Sequence, residues 1–101
     1  MKNALDILSP SYDNVVPNLD AMPISELRKF RKKYANPSQM SAMRLVGIRS
    51  DAVKIAQELS KYAFYKSKAM AARGRGDLRR AIPDENFCET IYRGLPDDIK
   101  W

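Results

Sequence analysis

From Ser50 to about Arg73 the sequence carries one continuous helical pattern, and this stretch constrains everything around it. Ala52, Ile55, Ala56, Leu59, Tyr62, Ala63 and Met70 fall on one stripe at the ~100° per residue of an α-helix. Val53, Phe64 and Ala71 form a second, smaller apolar patch on another side. A helix with two apolar faces belongs in the middle of a bundle, packed by several neighbours. Ser50-Asp51 supplies its cap.

The flanking segments offer those neighbours. Leu27, Phe30 and Tyr34 stack on one face of a helix capped by Ser25 and ended by Asn36-Pro37. Met40, Met43 and Val46 give a short second helix starting at Ser38, with Gly47 near its end. After the Gly74 and Gly76 break, Asp77 caps a last helix, and Pro83 either kinks or restarts it. Phe87, Cys88, Ile91, Tyr92 and Leu95 are its later apolar face. No strand-like alternation occurs, so the expected fold is all-α: about four helices over residues 24–101. Residues 1–23, broken by Pro10, Pro17 and Pro23, read as an extended arm with a short turn over Leu5–Leu8.

Charge is distributed unevenly. The 101 residues carry a formal +6, yet residues 24–80 hold fifteen Lys and Arg against Glu26, Asp51, Glu58 and Asp77, a net +11. Both ends are mildly acidic. Three groups of cations stand out as candidates for anion or nucleic-acid binding. Arg28, Lys29, Arg31, Lys32 and Lys33 spread over the polar side of the first helix. Lys54, Lys61 and Lys68 recur every seven residues on the long helix, with Tyr65 nearby. Arg73, Arg75, Arg79 and Arg80 surround the glycine turn, where helix amides and guanidiniums suit a phosphate, although Asp77 competes for those amides. A plain solvated face would also carry such charges. Lys66 lies on the apolar stripe, to snorkel to the helix edge or pair with Glu85.

Several chemistries are excluded by composition. With no histidine and one cysteine, the chain has no His-dependent triad, His-ligated metal site or intramolecular disulfide. No glycine-rich loop has P-loop or dinucleotide spacing. Glu85 and Glu89 at i, i+4 could share a divalent cation, or serve as a solvated acidic face. Cys88 on an apolar face reads as a small buried hydrophobe. Phe30, Tyr34, Tyr62, Phe87 and Tyr92 are core candidates, while Phe64, Tyr65 and Trp101 are less clearly buried. No catalytic residue, cofactor or metal is expected. Neither a secretory signal nor a run of the ~20 apolar residues that span a bilayer is present, which points to a cytoplasmic protein of a bacterium or virus-infected cell and to no membrane contact.

The stretch 69–95 resembles a single tetratricopeptide-type helical hairpin through Gly76-Asp77-Leu78-Arg79-Arg80-Ala81-Ile82 at its turn. That family stacks repeats into scaffolds that bind other proteins. This chain has one copy over about a quarter of its length, and Pro83 stands where the family continues its helix. The general style is also similar to small phage-encoded helical proteins, which implies no particular activity. Two functions are therefore expected. One is a basic module binding DNA or RNA through phosphates. The other is an adaptor for an acidic protein partner, or a self-assembling phage structural or host-interaction protein.

Overall fold

The computed structural model describes residues 16–101. Over them the chain is all-helical, with a 3-10 turn at Leu19–Ala21 and helices α1 (Ile24–Tyr34), α2 (Gln39–Val46), α3 (Ala52–Gly74) and α4 (Leu78–Gly94). The expected turn at Leu5–Leu8 lies outside the described residues.

The long helix is central; of its second apolar patch Val53 packs beside the core, whereas Phe64 and Ala71 stand outside it. The 23 residues of α3 span about 34 Å, and α1, α2 and α4 each pack on it. Ala52, Ile55, Ala56, Leu59, Tyr62 and Ala63 all enter the core from this one helix. Leu27, Phe30 and Tyr34 come from α1, Ala42, Leu45 and Val46 from α2, and Cys88 and Leu95 from α4 and its end. Leu59, Leu27 and Leu19 are wholly enclosed. Burial of each such leucine is worth about 1.5–3 kcal/mol.

Helix ends follow local chemistry, with two departures from expectation. Ser38 caps α2, accepting from the Ser41 amide at 3.1 Å. Ser25, however, is inside α1. Pro23, extended at ψ 162°, stands at the cap position instead, and its carbonyl takes the Leu27 amide at 3.0 Å. Asp51 precedes α3 without capping it, because Arg49 holds its carboxylate at 2.5 Å. Pro83 does not restart a helix: α4 runs through it as one element, Leu78–Gly94. Arg79 and Pro83 are both exposed, so the carbonyl that the proline leaves unpaired has solvent within reach.

The turn between α3 and α4 is fixed by two adjoining motifs. Gly76 adopts φ +73°, and the amides of Gly76 and Asp77 bond the carbonyls of Arg73 and Ala72, each at 2.9 Å. This pairing is a Schellman close, which favours glycine at the left-handed position. Asp77 then accepts from the Arg80 amide at 3.4 Å and starts α4 at once.

Segment 16–23, the end of the expected arm, lies against the helical body. Leu19 is fully buried, and Val16 and Met22 pack beside the core. Asp20 accepts a hydrogen bond from the Tyr62 hydroxyl and another from the Trp101 indole at 3.0 Å, with the Lys66 ammonium 3.3 Å away. Lys66 thus pairs with Asp20; Glu85, its expected partner, is held by Arg73. Tyr92 donates to the Trp101 carbonyl at 2.6 Å, and both Tyr62 and Tyr92 meet the indole edge-on. The chain's last residue and Asp20 are therefore joined over the middle of α3.

Partial burial alone would raise the Asp20 pKa, but the bonds from Tyr62 and Trp101 and the charge of Lys66 outweigh it and hold the carboxyl below its usual range. A lowered folded-state pKa makes the contribution present above the ordinary carboxylate value of ~3.9, and lost as pH falls through the depressed one. Asp20→Ala should lower stability at pH 7 by about 1–2 kcal/mol, a figure reduced for the half-exposed carboxylate. It should also shift the emission of Trp101, the sole tryptophan, to the red. Denaturant titrations at falling pH should show the gap between wild type and variant closing on the acid side.

A candidate anion-binding groove

Because α1 and α4 pack on α3 more than on one another, a furrow is left between them with α3 as its floor. This furrow is a groove of about 630 Å³ lined by Arg28, Arg31, Lys32, Phe64, Ser67, Lys68, Ala71, Arg75, Arg80 and Asp84. Cations from all three groups singled out in the sequence meet there.

Helical geometry decides which members of each group arrive. On α1, Arg28, Arg31 and Lys32 stand at i, i+3 and i+4 and share one face. Lys29 points elsewhere and lies 3.8 Å from Glu26, while Lys33 sits over the Tyr34 ring. On α3 the seven-residue spacing of Lys54, Lys61 and Lys68 continues to Arg75 at the C-cap. Lys68 and Arg75 line the groove. Lys61 borders an adjoining hollow and bonds Glu58 at 3.3 Å, and Lys54 is exposed further along.

The arginines around the glycine turn separate. Arg75 and Arg80, on either side of the tight Gly76-Asp77 connection, both line the groove. Arg73 turns to the opposite flank and forks onto Glu85, its Nη2 donating at 2.8 Å. That guanidinium holds the Glu85 carboxyl below its ordinary range, while the carboxylate raises the arginine. Arg79 is exposed and outside the groove lining. Asp77 bonds the Arg80 amide, the competition for helix amides anticipated from sequence.

Electrostatically the groove is one-sided. Among the described residues, Arg28, Arg31, Lys32, Lys68 and Arg75 have no carboxylate at ion-pair distance, and Arg80 has Asp77 at 3.5 Å. Asp84 is the one acidic residue in the lining. Phe64 forms the floor, with the Arg31 guanidinium 4.8 Å and the Lys68 ammonium 5.1 Å from its ring centre. Ser60 on α3 donates to the Arg31 carbonyl at 2.8 Å and fixes α1 at that level.

Phe64 and Ser67 are site residues that the charge pattern did not flag. The available signal was an aromatic at i+3 from Lys61 and i−4 from Lys68, which puts it within the cation stripe. Phe87, an expected core residue, is instead 52% exposed and stacks on Tyr65 at 4.8 Å between ring centres. It stands about 100° round α4 from buried Cys88, on the side of Arg80 and Asp84.

A second cluster lines a shallower hollow on the other flank of α4: Asp20, Tyr62, Lys66, Glu85, Cys88, Glu89 and Tyr92. Its carboxylates are engaged, Asp20 as described, Glu85 by Arg73 and Glu89 by Arg93. Among the described residues no three His, Cys, Asp or Glu side chains are gathered as metal ligands. Burial pushes the Cys88 thiol up to about 12, despite the opposing charge of Lys66, and the same burial raises the Tyr62 phenol. A thiol held protonated is a poor nucleophile. Cys88 should therefore resist iodoacetamide at pH 8 in the native protein and react fully once unfolded, which mass spectrometry reads directly.

Comparisons with known protein families, with characterised proteins and with solved structures find no match to this chain. No helix among the described residues is long and apolar enough to cross a membrane.

Proposed function

We propose that this protein is a small non-catalytic binding module whose α1–α3–α4 groove engages a polyanion, nucleic acid foremost. The observation that carries this reading is the set of six cations brought into one groove from three helices, of which the five on α1 and α3 have no carboxylate at ion-pair distance among the described residues and Arg80 of α4 has only Asp77. Like charges held close repel one another, and an isolated surface helix has no reason to aim its cations at a neighbour's. Multiple phosphates would relieve that repulsion, and counterion release would drive the binding. The high thiol pKa and the engaged carboxylates support a binder over a catalyst. The setting that goes with this reading is cytoplasmic, in a bacterium or a virus-infected cell, where nucleic acid is at hand.

Fluorescence anisotropy against labelled oligonucleotides over a salt series tests the reading. Binding should weaken steeply with salt, with a slope in the log–log plot that reflects the phosphates neutralised. Combining Arg28→Gln, Lys68→Gln and Arg75→Gln should flatten that slope by about 2, at roughly 0.7 per single-strand phosphate contact. Lys54→Gln with Arg79→Gln, both outside the groove, should change it little. Asp84→Asn should tighten binding. No measurable affinity at low salt would overturn the proposal.

A second reading, as an adaptor or self-assembling protein, is favoured by Leu78 and Ile82. They lie at i, i+4 on α4, away from the groove, and are 49% and 48% exposed. Light scattering separates the two functions. A dimer that persists in high salt and is lost on Ile82→Ser would assign that flank to assembly, whereas a monomer at all concentrations removes the self-assembly version.

A further inference from the structure

We propose that the groove selects single-stranded nucleic acid over duplex, seating an unpaired base against Phe64; this rests on the polyanion reading above and specifies its ligand. The first ground is continuity. A second hollow, of about 350 Å³, lies along the same helix and shares Arg31 and Phe64 with the groove. Lys61, Phe64, Lys68 and Arg75 therefore follow one another along a single track on α3, over about 21 Å at 1.5 Å per residue. A track with charges at intervals and an aromatic between them is the arrangement that holds a strand by its backbone while a base stacks.

The second ground is the ring itself. Phe64 is only partly buried at the point where the two hollows meet, with cations from α1 and α3 over it. Its aromatic surroundings extend outward through Tyr65, 5.3 Å away, to the exposed Phe87 stacked on Tyr65 within 20° of parallel. Phe87 follows Arg80 and Asp84 at helical spacing, so it stands on the groove side of α4. A large exposed aromatic beside a cationic cleft costs solvation unless something apolar covers it.

The third ground is shape. The cleft is concave, its walls are α1 and α4, and Phe64 is at its floor. A duplex keeps its bases stacked inside and presents a convex phosphate surface, which meets cations at the rim but brings no base to the floor. A single strand can turn a base inward and keep its phosphates on Arg31 and Lys68.

Anisotropy titrations of the full chain with oligothymidylate and with a duplex of equal length, at the same salt, decide the matter. Oligothymidylate should bind at least about tenfold more tightly than duplex. Phe64→Leu, which keeps the site apolar, should remove most of that preference without changing the salt slope, with folding verified by circular dichroism. Phe87→Ala, on the surface, should give a smaller loss in the same direction and serves if Phe64→Leu does not fold. Equal affinity for both ligands with both variants silent would overturn the single-strand preference while leaving a polyanion-binding groove. Failure of both ligands to bind wild type at low salt would overturn the groove reading itself, and this inference with it.

Discussion

Leu59, in the first half of α3, has no exposed surface and lies in one core with Leu27 and Phe30 of α1, Ala42 and Val46 of α2, and Cys88 of α4. Every helix uses α3 as its packing partner, so the burial of its stripe determines where the others go. Two consequences follow. Helices that pack on a common axis more than on each other leave a furrow between them. The face of α3 at the bottom of that furrow is the face that its core stripe does not use, and it carries Lys61, Phe64, Lys68 and Arg75.

Charge follows from the same geometry. Most carboxylates of the described residues are matched locally: Glu26 with Lys29, Glu58 with Lys61, Glu89 with Arg93, Asp97 with Lys100. Such exposed pairs add little stability, generally under about 1 kcal/mol. Their effect is on the field. Apart from Asp84 in the lining and Asp77 beside Arg80, the acids stand away from the furrow, and five of the six cations that line it have no carboxylate partner among the described residues. A module of this size tolerates their mutual repulsion because its core is independent of them.

The helices themselves were largely legible. Leu27, Phe30 and Tyr34 recur at a helical period and are buried, Ser38 and Asp77 cap where short polar side chains precede apolar periods, and Gly76 closes α3. The misread caps are places where a residue close by overrode the expected one. Asp51 was drawn off its cap by Arg49, two residues before it, and Ser25 was pre-empted by Pro23. Phe87 was misplaced because periodicity gives a face and not its depth: the ring stacks on Tyr65 at the margin of the α3–α4 contact.

By itself the sequence determined that this chain is helical, that its longest helix is central, and that its middle is strongly basic, because periodicity and charge are local properties of residue order. Tertiary structure alone decided which cations share a groove. Arg28 and Arg75 are 47 positions apart, and only the packing of α1 and the α3 C-terminus brings them to one groove. Arg73 and Arg75 are two apart, and the ~200° between i and i+2 on a helix sends one to Glu85 and the other to the groove. Segment 16–23 was settled in the same way. Proline and polar residues mark it as irregular, but only the meeting of Asp20 with Tyr62, Lys66 and Trp101 ties it to the body.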